Sequence, residues 1–507
     1  MKKRTENKKA GVKTRFAPSP TGFFHIGGVR TALFNYIFAK QNKGKFILRI
    51  EDTDIERSKP EFEKDMIDSL KWVGIKWDEG PGVAGKFGPY RQRERIEIYK
   101  KYLEKLLEEK KAYYCFCTKE ELEALRQYQE SNGIIIKYPG KCADLSPEKV
   151  KERLVRGEKA VIRMKMPDRK IQIKDLIRGK VEFDTSLIGD FVIAKDLDTP
   201  LYHFSVVIDD YEMEITHVIR GEEHLSNTPK HIILQEALGL PTPHYAHLPL
   251  ILAPDRTKLS KRHGAVSAMD YKKQGYLPEA LINFLAFLGW NPGASKEIYS
   301  LKDLIKDFSI DKIHKGGAIF NIQKLDFING FYIRHKTINE LVELCLPYLL
   351  ERGLISDAEA KKKETLDYLV KVVALYQERL KKLSEISELA EFFFKENISY
   401  DKELLKWKGV GDKELSLILK KLEQVLSDIE EADWSAKKIE SVLMPEAEKF
   451  PAEISLRAGD RGYMLWAMRA ALSGQKSSAG PFEIATVLGK EKALKRIKNA
   501  LNFIQKT

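Results

Sequence analysis

The chain lacks the marks of a membrane or secreted protein. No run of about 18 apolar residues occurs in its 507, so no membrane-spanning helix is expected. Met1–Ala10 is basic (Lys2, Lys3, Arg4, Lys8, Lys9), but no apolar stretch follows it. That excludes a secretory signal and leaves a short disordered arm at 1–10. Cysteine is scarce, with only Cys115, Cys117, Cys142 and Cys345. Four thiols make no disulfide framework, so the reducing cytoplasm is the expected compartment. There is no internal repeat and, the arm aside, no low-complexity segment. Acidic residues are also short, 74 against 87 Lys and Arg, for a net charge of +13. Such a surplus suits a polyanionic partner such as RNA or DNA, although a lysine-rich solvated surface gives the same balance. A chain of this length exceeds one core and should divide into about three to five domains.

Lys13–Pro18 reads as a short strand, followed by a turn rich in Pro, Ser and Gly. A helix follows from about Gly28 to Gln41, closed by Asn42-Lys43-Gly44, and Phe46–Ile50 reads as a second, buried strand. In such a strand–helix–strand unit the turn after the first strand is where open α/β sheets bind ligands. A helix over Glu61–Val73 continues the alternation. From about 98 to 198 the texture changes: a charged helix at Ile98–Lys111, a capping box of Thr118 with Glu121, then short strands near 160–166, 181–184 and 191–194. This stretch reads as an insertion. The α/β pattern resumes with a strand at Thr216–Arg220, a helix at Pro229–Leu238 and a strand at Leu248–Leu252. Pro278 opens an apolar helix through Phe287, and the last third is amphipathic and helical.

Two segments carry the chemistry. In the first, Arg15-Phe16-Ala17-Pro18-Ser19-Pro20-Thr21-Gly22-Phe23-Phe24-His25-Ile26-Gly27-Gly28, a histidine meets a helix start. Gly27 and Gly28 remove Cβ bulk, so a base or phosphate can approach the main chain, where unpaired N–H groups and partial positive charge wait. Alone, the segment fits a packed histidine at a glycine-rich helix entry equally well. The second is Lys258-Leu259-Ser260-Lys261-Arg262. Its cations suit a loop that meets a phosphorus centre passing charge to a leaving pyrophosphate, or simply a solvated basic loop.

In this order and in these contexts the two segments resemble the signatures of class I aminoacyl-tRNA synthetases, usually written HIGH and KMSKS. Longer strings resemble the glutamyl-tRNA synthetase branch: Arg49-Ile50-Glu51-Asp52-Thr53-Asp54, Trp77-Asp78-Glu79-Gly80-Pro81, Gly88-Pro89-Tyr90-Arg91-Gln92 and Arg220-Gly221-Glu222-Glu223-His224-Leu225. The resemblance implies an α/β Rossmann-like catalytic domain with an inserted α+β domain, followed by an all-α C-terminal anticodon-binding region. The divisions expected are a catalytic first half at 11–97, an acceptor-stem-binding insertion at 98–198, a catalytic second half at 199–262, a stem-contact domain at 263–337 and the helical region at 338–507. It implies a monomeric ligase that activates L-glutamate with ATP and Mg2+ and charges tRNA(Glu), with tRNA(Gln) left open. Intact His25, Lys258 and Lys261 speak against a non-catalytic tRNA-binding paralogue.

The resemblance also assigns residues. His25, Gly27, Lys258 and Lys261 are expected on ATP, with Gly28, Ser260 and Arg262 completing the two motifs. Gly28 stands where the motif ends in histidine, which shifts phosphate contacts onto His25 and backbone N–H groups. Arg15 and Arg220 are expected to meet the two carboxylates of glutamate, Glu51 its ammonium, with Ala17, Ser19 and Tyr202 beside them. Cys115-x-Cys117 with Cys142 resembles a zinc module of some bacterial members. That module ends Cys-x-His, and here Asp144 stands at the histidine position; Zn2+ held by three thiolates and a carboxylate is one reading, a lost site the other.

Overall fold

The computed structural model describes residues 11–83, 85–259, 267–293 and 295–506. The arm expected at 1–10 and the motif residues Ser260, Lys261 and Arg262 lie outside them. The chain divides into two compact units: Met1–Lys272 with Pro278–Leu325, and Lys273–Leu277 with Asp326–Thr507.

The first unit begins as the patterning predicts. β1 (Lys13–Phe16) is wholly buried, α1 (Ile26–Gln41) returns, and β2 (Lys45–Leu48) pairs parallel to β1 with Arg15 opposite Ile47. α2 (Pro60–Trp72) follows, with Pro60 in its first turn. Then come α3 (Ile96–Glu108), β3 (Ala112–Cys115), α4 (Lys119–Ser131), α5 (Pro147–Val155), β4 (Val161–Met164), β5 (Lys170–Asp175), β6 (Gly179–Asp184) and β7 (Phe191–Ala194). β3, β4 and β7 form one antiparallel sheet, and β5 with β6 makes a hairpin. The Thr118–Glu121 capping box forms as expected. α6 (Tyr202–Glu212), β8 (His217–Gly221), α7 (Thr228–Leu238) and β9 (His244–Leu248) restore the α/β pattern, β8 and β9 being parallel with Arg220 opposite His247. The Thr216 N–H donates to the Lys13 carbonyl at 3.0 Å, which ties the start of β8 to β1.

Two differences from the sequence reading have simple causes. The strand expected at 248–252 breaks at Pro249, which has no N–H to give a ladder; β9 ends at Leu248 and a two-residue strand resumes at Ile251. β5 was not expected: its apolar alternation rests on Ile171 and Ile173 alone, both buried, while Lys170, Gln172 and Lys174 face out.

The second unit has no strand among its described residues. Its long helices include Lys363–Tyr376, Asp412–Ser427, Ala436–Glu453, Gly462–Ser473 and Lys490–Lys506. Arg496 is buried yet has no carboxylate partner among the described residues; it donates to the carbonyls of Leu472 (2.6 Å), Phe392 (2.6 Å) and Lys395 (2.8 Å), closing helix ends that would otherwise keep unpaired oxygens. Among the described residues no helix is long and apolar enough to cross a membrane.

Candidate active site

One cavity of about 410 Å³ opens where β1 and β8 end. Arg15, Ala17, Ser19, His25, Gly27, Gly28, Glu51, Tyr202 and Arg220, nine residues singled out from sequence, all line it. Thr31, Glu223 and His224 line it as well and were not foreseen.

His25 is the N-cap of α1, and its Nδ1 accepts the Gly27 N–H at 3.0 Å. That bond leaves the ring proton on Nε2, free to donate to a ligand. Burial, with Lys258 nearby, lowers the imidazole pKa, so the ring is neutral at physiological pH. The Gly28 N–H bonds the His25 carbonyl at 2.8 Å. The backbone donors of Gly27 and Gly28 are therefore spent inside the turn, contrary to the expectation that they would meet phosphate. Gly28 matters for space: a Cβ there would run into the Phe24 ring. Lys258 is exposed and does not line the cavity, but its charge reaches His25, and Ser267 bridges to His25. Of the two described flanks of the lysine-bearing segment, one thus acts on the imidazole through its charge and the other pairs with the backbone of His25.

Arg15 donates from Nε and Nη2 to the two oxygens of Asp210 at 3.1 and 3.3 Å. Asp210 also takes Arg49 Nη1 at 2.8 Å, and Arg49 Nη2 donates to Glu51 at 3.1 Å. Behind them Asp209 accepts from Arg95 (2.7 Å), Tyr99 (2.8 Å) and Gln92 (2.9 Å). Burial outweighs the two arginines at Glu51 and raises its carboxyl pKa to about 7. Asp209 and Asp210, which anchor this network, were missed in the sequence reading. Their signal was two adjacent acids directly after an apolar run in a helix, Val206-Val207-Ile208-Asp209-Asp210.

Arg220 has other company. Nε donates to His247 Nε2 (3.1 Å), Nη1 meets His231 Nδ1 (3.2 Å), and Nη2 donates to Thr228 Oγ1 (2.9 Å) and the His224 carbonyl (3.2 Å). Among the described residues no carboxylate lies in ion-pair contact with it. Burial and this guanidinium hold His224 down to about 4 and His231 well below the usual imidazole value. Tyr202 lines the cavity too, its hydroxyl 3.3 Å from His224 Nδ1.

Elsewhere in the unit Cys115, Cys117 and Cys142 bring their sulfurs within 4.8 Å of one another, and Cys117 lies 3.7 Å from Cys142. Such spacing suits thiolates around a tetrahedral soft metal. Asp144 is not in the group; it is exposed, and the expectation of a carboxylate ligand fails there. The Tyr138 hydroxyl fills that side, 3.3 Å from Cys115 and 3.4 Å from Cys117. Burial pushes the Cys117 thiol up to about 11.

Residues 11–327 match the family described as tRNA synthetases class I (E and Q), catalytic domain, and residues 340–501 match an anticodon binding domain. A glutamate–tRNA ligase of Carboxydothermus hydrogenoformans is 47% identical over 492 residues, covering 97% of this chain and 100% of the relative. A glutamate–tRNA ligase of Caldicellulosiruptor saccharolyticus is 48% identical over 494 residues, 96% of this chain and 98% of the relative. Among solved structures, a glutamate tRNA ligase from Elizabethkingia meningosepticum in complex with its amino acid is 36% identical with a TM-score of 0.86, covering 98% of this chain and 100% of that one.

Proposed function

Because the chain belongs to the glutamate–tRNA ligases of the class I tRNA synthetases, we propose that the cavity at the ends of β1 and β8 is where glutamate and ATP react. The protein is a glutamate–tRNA ligase in activity: it activates L-glutamate as the adenylate and transfers the acyl group to the 3′ end of tRNA(Glu). The observation that carries the site assignment is that one cavity gathers the amino-acid set (Arg15, Ala17, Ser19, Glu51, Tyr202, Arg220) and the nucleotide set (His25, Gly27, Gly28).

In the proposed reaction a carboxylate oxygen of glutamate attacks the α-phosphorus of ATP and the bond to pyrophosphate breaks. The terminal ribose hydroxyl of tRNA then attacks the acyl carbon and AMP leaves. No covalent enzyme intermediate arises, so the protein acts by positioning and charge. Arg220 holds one carboxylate of glutamate. Arg15 reaches the other with the N–H groups that Asp210 leaves over. Glu51 faces the ammonium and Tyr202 donates to a carboxylate oxygen. His25 donates from Nε2 to the triphosphate, which enters with Mg2+ bound to it. Lys258, with Lys261, Ser260 and Arg262 outside the described residues, meets the departing pyrophosphate. The segment 98–198 takes the acceptor stem, 263–337 contacts the stem below it, and the enzyme works as a cytoplasmic monomer. Cys115, Cys117 and Cys142 hold a structural zinc; metal analysis of protein purified without chelator should give one zinc per chain, and a metal-free, folded enzyme overturns that assignment.

ATP–pyrophosphate exchange with the full chain tests the reading. Exchange that appears only when glutamate and tRNA(Glu) are both present supports it, and exchange indifferent to glutamate overturns it. Acylation of purified tRNA(Glu) and tRNA(Gln) side by side then fixes the acceptor range.

A further inference from the structure

The residue that orients Arg220 is itself oriented from outside the cavity. His247 faces Arg220 across the β8–β9 pair. Its Nδ1 lies 2.6 Å from Asp175 Oδ2, and its Nε2 lies 3.1 Å from Arg220 Nε. A carboxylate only accepts, so the ring proton sits on Nδ1 and Nε2 presents its lone pair to the guanidinium. Asp175 cannot rotate away: its other oxygen accepts the N–H groups of Ile177 (2.9 Å), Arg178 (2.8 Å) and His247 (3.3 Å), and both side chains of the pair are fully buried. Asp175 ends β5, in the hairpin between the two parallel strand pairs, and Leu176 N–H fastens that hairpin to the Tyr245 carbonyl at 2.9 Å. The lining of the cavity contains neither Asp175 nor His247.

Four of the five N–H groups of Arg220 have protein acceptors, which leaves one on Nη1 for a ligand. The direction of that last donor depends on the plane of the guanidinium. The Nε bond to His247 is one of the contacts that set the plane.

We propose that Asp175 and His247 are positioning residues for glutamate: Asp175 selects the tautomer of His247, and that tautomer holds Arg220 in the plane that meets the substrate carboxylate. The proposal rests on the assignment of Arg220 to that carboxylate, and the experiment separates the two.

Asp175→Asn keeps the shape. The three backbone donors hold its amide oxygen, so its NH2 turns to His247 Nδ1. The ring must then accept at Nδ1 and carry its proton on Nε2, facing the Arg220 N–H. In the full-length enzyme with tRNA(Glu) the expected result is a KM for glutamate raised about tenfold, the loss of roughly one charged hydrogen bond, with the KM for ATP unchanged. The 15N signals of the His247 ring should exchange protonated and bare nitrogens. His247→Gln, whose amide oxygen can accept from Arg220 without a tautomer choice, should abolish the effect of Asp175→Asn in a double-mutant cycle. An Asp175→Asn enzyme whose ring signals exchange while its KM for glutamate stays put overturns the proposal. So does a variant that loses stability and kcat with both KM values unmoved, or a strictly additive cycle. If Asp175→Asn fails to fold, His247→Gln against His247→Leu decides: only the acceptor should keep the KM for glutamate near the native value. Arg220→Lys is the separate arm. If it leaves the KM for glutamate unchanged, the assignment of Arg220 fails first, and the proposal with it.

Discussion

Arg15 and Arg220 reach one cavity from the ends of β1 and β8, yet they are held by opposite chemistry. On the β1 side Arg15, Arg49 and Arg95 interleave with Glu51, Asp209 and Asp210, all buried, in a network where cations and carboxylates match. On the β8 side Arg220 rests on His224, His231, His247 and Thr228, all neutral acceptors. A buried charge is costly without a partner, and the β1 side supplies its partners from the chain itself. The imidazoles satisfy the geometry of Arg220 without cancelling its charge. The β8 side therefore waits for an anion from outside, and the β1 side works as a fixed frame with one carboxylate, Glu51, available to a cation.

The largest effect should come from breaking the frame. Asp210→Asn leaves Arg15 and Arg49 with surplus buried charge and should cost about 3–5 kcal/mol of stability, read from urea unfolding of the full chain. Arg220→Lys, which keeps a cation among neutral acceptors, should cost less stability but more function. Its KM for glutamate should rise about tenfold to a hundredfold with the KM for ATP unmoved, because one charged hydrogen bond is worth roughly 1.5–3 kcal/mol. Equal stability losses for the two variants would erase the distinction between the sides. A rise in the KM for ATP instead would move Arg220 to the nucleotide.

That contrast was only half legible in the sequence. Arg15, His25, Glu51 and Arg220 stand out because glycine, proline and charge punctuate short strands, and their strings resemble a family. The partners do not stand out. Asp210 is 195 residues from Arg15, and Asp175 is 72 from His247, so nothing local connects them. Periodicity reports which face of an element is buried, not which buried polar groups meet. β5 stayed hidden for a related reason: two isoleucines among polar residues are a weak period. Asp144 failed because position in a motif says nothing of which way a short loop turns its side chain. The Tyr138 hydroxyl stands beside Cys115 and Cys117 instead.

Glu51 gives the finest test, because it belongs to the frame yet is offered to the substrate. Burial raises its carboxyl pKa to about 7 against an ordinary 4.5. Its two pH effects should run in opposite directions. In the ligand-free protein the neutral form is the comfortable one. The stability it contributes is full below the unfolded pKa and fades as pH rises through about 7. Substrate binding wants the charged form, which pairs with the ammonium group. From pH 8 to pH 6 the KM for glutamate should therefore rise about tenfold while the ligand-free protein becomes more resistant to heat. Glu51→Gln cannot titrate, so both slopes should flatten across that window, with binding held near its weak, acidic level. If the variant keeps the slope in KM, some other group sets it. If it flattens only the thermal slope, Glu51 is part of the frame and nothing more, and the ammonium of glutamate must be met elsewhere in the cavity.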